Sequence, residues 1–227
     1  KNNYFKFNND YYLQTDGTAM GVSFAVSYAN IYAHSKEILF ISRFKSQILL
    51  YRRLVDDIFM VISPPCDFIH QAAPFFLSFI IDWTVDPHER DFLDLTIFKG
   101  PRFLSQGILD LKIYQKPMNA YTYLPFTSFH PLKVFFNLVA NEIRRYITHS
   151  SSLTDFLIVR DRLIQRLRKR QYPWKILLQA AEVYHFKQRT QLLSKSTKKT
   201  LDRVVFTTHY DPLTKSLRMS KVLKQHW

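Results

Sequence analysis

Residues 4–14, YFKFNNDYYLQ, alternate aromatic and polar positions around Asn8-Asn9-Asp10, which predicts a β-hairpin. TDGTAMG (15–21) follows as a turn, with Gly17 and Gly21 as breakers. The period then lengthens. In VSFAVSYANIYAHSKEILF, Phe24, Tyr28, Ile31 and Tyr32 share one helical face, and Ala25 and Ala29 offer a flat strip for close packing. SQILLYRRLV and IFMVI are rich in β-formers and flank Asp56-Asp57, predicting a strand-turn-strand hairpin with strands at about 48–55 and 58–62. PFFLSFII (74–81) reads as part of an amphipathic helix. DFLDLTIF and GILDLKIYQK read as a second strand pair joined through KGPRFLSQG.

From Pro131 the pattern becomes helical with basic faces. PLKVFFNLVANEIRRYITHS opens on a proline at a first helical position. It carries Leu132, Phe135, Val139, Ile143 and Tyr146 at three- and four-residue spacing. TDFLIVRDRLIQRLRKR (154–170) takes Thr154 as its N-cap. Phe156, Leu163 and Leu167 fall on one face, and Arg162, Arg166, Lys169 and Arg170 on another. Tyr172-Pro173 ends it, and WKILLQAAEVYHFKQRTQLL reads as the next helix. SKSTKKTLDR is a basic linker, VVFTTHY a strand and the tail to Trp227 a short helix.

Composition narrows the class. With 47% apolar residues, and aromatics making up 16% of the chain, it has the material for a real core. Lys+Arg 32 against Asp+Glu 18 leaves +14, which points to a polyanionic partner, nucleic acid or an anionic membrane surface. Cys66 is the single cysteine, so no disulfide closes within the chain and an intracellular setting fits. The most apolar window is too short to span a bilayer, no secretory signal opens the chain, and no glycine-rich phosphate loop is present. A start at Lys1 reads as a segment of a longer protein.

The most informative chemistry is Asp56-Asp57 between two apolar runs. Neighbouring carboxylates repel unless a cation compensates. Mg²⁺ takes one or two carboxylates plus substrate phosphates, and two such ions serve nucleotidyl transfer. A hairpin turn presents both carboxylates at one sheet edge. The same pair also reads as a solvated turn.

An ordered set of motifs favours the metal-binding reading. TDGTAMG before the Ala-rich helix with its Ala29-Asn30 is followed by RRLVDDIFMVI, FLDLTI, YQKPMNAYTYLPFTSFHP, RKRQYP, FTTHY and LKQHW. From Tyr4 to Trp227 this order resembles the reverse transcriptase of Penelope-like retroelements, relatives of telomerase. The resemblance implies an α+β fold: a partial polymerase palm at 1–125 and a helical thumb at 126–227. It implies an RNA-directed DNA polymerase segment with Asp56 and Asp57 as catalytic, metal-binding carboxylates for two Mg²⁺ ions. Gly17, Thr18, Ala19, Met20 and Gly21 would lie at the templating base and incoming nucleotide. Leu54, Tyr114, Lys116 and Pro117 would support the primer end. Arg162, Arg166, Lys169 and Arg170 would meet the phosphate backbone.

The implied partners are an RNA template, a DNA primer, deoxynucleotides and upstream fingers and palm of a parent chain, in an intracellular, nuclear setting without a membrane. The sequence departs from the family at Val22, Ala25-Val26, Leu54 (where an aromatic precedes VDD) and Met118. The family's further metal-binding aspartate would lie upstream of Lys1. Two alternatives stay open: a non-catalytic nucleic-acid-binding remnant, and a membrane-surface or protein-interaction module using the same charge.

Overall fold

The computed structural model describes residues 4–19, 21–65, 70–76 and 79–194. The chain divides into two compact units, Lys1–Phe98 and Lys99–Trp227. This division falls earlier than the boundary near residue 125 that the sequence predicts. The described residues form an α+β fold of small antiparallel sheets and packed helices.

In the first unit, β1 (Tyr4–Phe7) and β2 (Asp10–Leu13) pair as the expected hairpin, with Asn8 at φ 55 in the turn. Asn is among the few residues that adopt this left-handed conformation readily. All eight strand residues are exposed.

α1 (Ala25–Arg43) follows as the helical spacing predicts. The stripe marked by Phe24, Tyr28 and Ile31 is exposed, at 51%, 56% and 71%. The opposite face carries the core, where Phe40 meets Phe44 and Phe76 at ring-centroid distances of 5.3 Å and Trp83 at 6.2 Å. α1 has two apolar stripes, and periodicity alone does not say which one finds partners. Burying Phe40 completely contributes about 1.5–3 kcal/mol.

β3 (Ile48–Leu54) and β4 (Asp57–Ile62) form the second hairpin, as the β-rich runs predict. Its register alternates Tyr51, Arg53, Ile58 and Met60 with Arg52, Leu54, Asp57 and Phe59 on the two faces. Ile48, Met60 and Ile62 pack on the Phe40 cluster. Phe59, on the other face, reaches Phe92 at 5.5 Å.

PFFLSFII is no amphipathic helix over its described residues. Only a 3₁₀ turn, Ala73–Phe75, forms, and Phe75 and Phe76 turn into the aromatic cluster. DFLDLTIF, expected as one strand, is itself a hairpin. β5 (Glu89–Phe92) and β6 (Leu95–Phe98) pair across a two-residue Leu93-Asp94 turn, with Leu93 at φ 56.

The second unit opens with α2 (Pro101–Gln106), where a plain connection was expected. Pro101 supplies its first helical residue, and Gly107 closes it at φ 68, a conformation that glycine adopts without strain. β7 (Asp110–Ile113) follows and is tied to the helices. Leu111 N–H donates to Ser151 Oγ, and Ser151 N–H donates to Leu111 O, each at 2.8 Å. Arg102, paired with buried Asp110, also reaches Ser151.

α3 (Leu132–His149) and α4 (Leu153–Lys169) meet at the Ser150–Ser152 connection. Phe135, Val139, Ile143 and Tyr146 are buried as their spacing predicts, while Leu132 is exposed. Pro131 is the N-cap of α3, one position outside the helix. The N-cap of α4 is Ser152, whose Oγ accepts from Asp155 N–H at 3.0 Å, and Thr154 lies inside the helix. Gln171 at φ 67 closes α4, and Tyr172 N–H returns to Leu167 O at 3.1 Å.

The long helix predicted from Trp174 is interrupted. α5 (Trp174–Ala181) ends before a loop and a 3₁₀ turn at Phe186–Gln188, and α6 (Arg189–Leu193) follows. Tyr184 and Phe186 pack against the core from the interruption, and His185 N–H donates to Gln188 Oε1 at 3.0 Å. The core of this unit centres on Phe135, Ile143, Tyr146, Leu163, Leu167, Tyr172 and Leu177. The predicted linker, the VVFTTHY strand and the tail helix lie outside the described residues.

Candidate functional site

Asp56 and Asp57 sit at the tip of the β3–β4 hairpin. Leu54 pairs with Asp57, so Val55-Asp56 forms a two-residue turn, and both carboxylates are exposed. Val55 has φ 55, a conformation that strains a β-branched residue. Asp57 shares its face with Arg52, Leu54 and Phe59, away from α1.

The turn is held from beneath. Arg53 donates through Nη1 to Val55 O at 2.9 Å and to Asn30 Oδ1 at 2.7 Å, and through Nη2 to Asn30 O at 3.1 Å. Its Nε reaches Glu37 Oε2 at 2.6 Å, and Nη2 reaches Glu37 Oε1 at 3.1 Å. Tyr51 O–H donates to Glu37 Oε2 at 2.8 Å, and His34 Nδ1 lies 3.1 Å from Oε1. Burial pushes the Glu37 carboxyl up, but hydrogen bonds from Arg53, Tyr51 and His34 outweigh it and hold the carboxyl below its ordinary value. Burial, then the hydrogen bond to Glu37, drives the Tyr51 hydroxyl far above its ordinary range. The hydrogen bond to Glu37 keeps Arg53 charged against the opposing effect of burial.

Sequence reasoning passed over this network. Its signals were a glutamate opposite the apolar stripe of α1 and an arginine on the α1-facing side of β3.

The predicted nucleotide loop is locally ordered. Gly17 N–H donates to Asp16 Oδ1 at 2.7 Å, and Gln14 Nε2 donates to Asp16 O at 2.7 Å. Gly17 at φ 73 and Gly21 at φ 90 need the glycine backbone. Thr18 and Ala19 are half-buried, and Met20 lies outside the described residues. Of the primer-support set, Leu54 is exposed at the hairpin tip in the first unit. Tyr114 (half-buried), Lys116 and Pro117 (exposed) belong to the second.

The basic face of α4 divides. Arg162 and Lys169 are exposed, and Arg170 is a half-buried C-cap residue. Arg166 turns inward, its guanidinium 3.5 Å from the Tyr121 ring centroid and its Nη2 3.1 Å from Gln115 Oε1. Two arginines outside the predicted set are occupied as well. Arg168 lies 5.0 Å from the Trp174 ring and donates to Tyr172 O, and Arg160 pairs with Asp161 at 2.8 Å.

Asp56 and Asp57 are the donor type Mg²⁺ prefers, two adjacent carboxylates open to substrate oxygens. Among the described residues no group of three or more His, Cys, Asp or Glu is placed to share a metal. Among them, too, no helix is long and apolar enough to cross a membrane.

Residues 122–180 match the family described as animal helix-turn-helix domain. The match runs from Thr122 through α3 and α4 into α5, so it covers the α3–Ser150–Ser152–α4 turn and the basic helix. No curated protein and no solved structure matches the chain.

Proposed function

We propose that the chain is a segment of an RNA-directed DNA polymerase of the Penelope-like kind. In this reading the first unit carries part of the palm, and the second unit grips nucleic acid. The observation that carries it is the Asp56-Asp57 tip on a strained two-residue turn, braced through Arg53 to Asn30 and Glu37. Asn30 belongs to the Ala-Asn pair of the motif series, so motif residues meet at one place. Asp56 and Asp57 would hold Mg²⁺, which supplies charge stabilisation for nucleotidyl transfer when bound. Arg53 fixes the carbonyl of Val55 and with it the backbone of the turn that carries Asp56. Gly17–Gly21 would face the template base and deoxynucleotide. The partners are RNA template and DNA primer, in a nuclear setting, with upstream fingers and palm completing the site.

A second reading, a nucleic-acid-binding module without chemistry, is favoured by the helix-turn-helix match, since α4 would present Arg162 and Lys169. One measurement tests both readings and a second separates them. The first is binding of labelled primer–template across a salt series. If about four phosphates are neutralised, affinity falls about a hundredfold from about 50 to about 200 mM salt. Arg162→Ala with Lys169→Ala lowers the slope by about two. Salt-independent binding sinks both readings.

The second is backbone cleavage by Fe²⁺ substituted for Mg²⁺ in the primer–template complex. Scission at 54–58, lost in Asp56→Asn, supports the polymerase. Binding without scission there leaves the module.

A further inference from the structure

In the second unit one guanidinium nitrogen and two neighbouring hydrogen-bond donors meet no acceptor among the described residues. Arg166 spends Nη2 on Gln115 Oε1 and lies flat against Tyr121. Its Nη1, the Gln115 Nε2 and the Tyr121 hydroxyl are screened from solvent and have no partner among the described residues. All three are close together. The Gln115 amide nitrogen shares a carbon with the oxygen Arg166 holds, and the phenolic oxygen lies at the edge of the ring the guanidinium covers. No carboxylate pairs with Arg166 among the described residues.

The surroundings fix these groups in place. Tyr121 sits at φ 46, with its N–H donating to Asn119 Oδ1 at 2.9 Å and its carbonyl accepting from Tyr123 N–H at 2.7 Å. The next tyrosine is anchored to α3, its hydroxyl 3.4 Å from that of Tyr146. Between Gln115 and Tyr121, residues 116–120 are exposed throughout, Lys116 among them, so the cluster lies directly beneath a surface turn.

A screened cation with spare donors is costly unless an acceptor joins it. An internal water supplies an oxygen but leaves the charge uncompensated. A phosphate supplies both. Arg162 and Lys169 flank Arg166 on α4 at about 6 Å and about 4.5 Å along the axis, which suits a row of anions better than one carboxylate. We propose that Gln115, Tyr121 and Arg166 form a recessed site for one phosphodiester group of bound nucleic acid, with Lys116 at its rim. The site rests on the reading of the second unit as nucleic-acid-binding and makes Arg166 a socket rather than one more cation on a stripe.

The test compares full-length variants in primer–template binding by fluorescence anisotropy, with melting temperatures measured alongside. Tyr121→Phe removes one hydroxyl and weakens binding about threefold. Gln115→Glu places a carboxylate in the socket and weakens it more than about tenfold. Arg166→Lys keeps the charge but loses the planar fork, and also costs about tenfold. If all three variants bind like the wild type while their melting temperatures shift, the cluster is an internal brace around water and the proposal is overturned.

If the wild type binds no nucleic acid, the proposed function fails, and the socket is decided separately by titration with inorganic phosphate. A shift of the Arg166 Nε–H resonance, absent in Gln115→Glu, supports the site. An unmoved resonance overturns it.

Discussion

Glu37→Gln removes one charge and almost no volume from beneath the β3–β4 hairpin. In the folded chain the Glu37 and Arg53 side chains are only 8% and 11% exposed, so the variant leaves a guanidinium buried without its counterion. Removing one partner of a buried pair costs about 3–5 kcal/mol. Arg53 keeps Asn30 and the Val55 carbonyl, so the lower end, about 3 kcal/mol, is expected.

Because the chain has two compact units, a single global unfolding free energy is a poor readout. Hydrogen exchange at the Tyr51–Phe59 amides, corrected for intrinsic rates, reads the hairpin locally. Protection should fall about a hundredfold. Adding Arg53→Met should cost less than the sum of the two single changes, by at least about 1 kcal/mol, because the second change removes the stranded charge.

The carboxyl of Glu37 is held below its ordinary value, so the folded chain binds its proton less tightly than the unfolded one. Its contribution is whole above about pH 4.3 and is lost as pH falls through the lower folded value. The gap between variant and wild type should therefore narrow in that acid window. Protection within threefold of wild type at neutral pH, or strict additivity with Arg53→Met, refutes the brace.

Val55→Gly relieves a β-branched residue at φ 55 and should stabilise the hairpin by about 1 kcal/mol in the same exchange measurement. A loss instead would show that the valine side chain contributes more than the strain costs. Ser152→Ala deletes the acceptor for Asp155 N–H and should destabilise the second unit by about 1 kcal/mol, read by urea unfolding of the helical dichroism. The same change at Thr154, which caps nothing in the structure, should stay within about 0.5 kcal/mol.

Elements set by local rules were legible. The YFKFNNDYYLQ and RRLVDDIFMVI hairpins, α3 and α4 follow from alternation and from three- and four-residue spacing, because side chains i and i+4 of one helix must share a face. What escaped were decisions made by distant partners. PFFLSFII has enough apolar residues for a helix, but Phe75 and Phe76 gain more by closing on Phe40. DFLDLTIF lacks the glycine or asparagine that usually announces a tight turn, so a hairpin with Leu93 at φ 56 was invisible to turn chemistry. On α1 the exposed Phe24–Tyr28–Ile31 stripe and the buried Phe40 face are both apolar, and only the position of β3 and β4 chooses between them.

The candidate site shows the same limit more sharply, because composition records a charge without its direction. Arg162, Arg166, Lys169 and Arg170 are alike on a helical wheel, yet the structure sends Arg162 and Lys169 outward and Arg166 inward. What turns Arg166 is Gln115, fifty-one residues earlier in the chain, together with the ring of Tyr121. Arg53 is parallel: within RRLVDD it looks interchangeable with Arg52, but strand alternation gives Arg53 the face toward Glu37. In both places an arginine that reads as surface charge joins segments far apart in sequence. In both, a neutral substitution should do more harm than at the exposed cations beside it, because it strips the donor from a buried or half-buried acceptor, Glu37 or Gln115 Oε1, and an acceptor left unpaired away from water costs more than a solvated one. Arg53→Met against Arg52→Met, and Arg166→Met against Arg162→Met, put that inequality to one measurement of stability each.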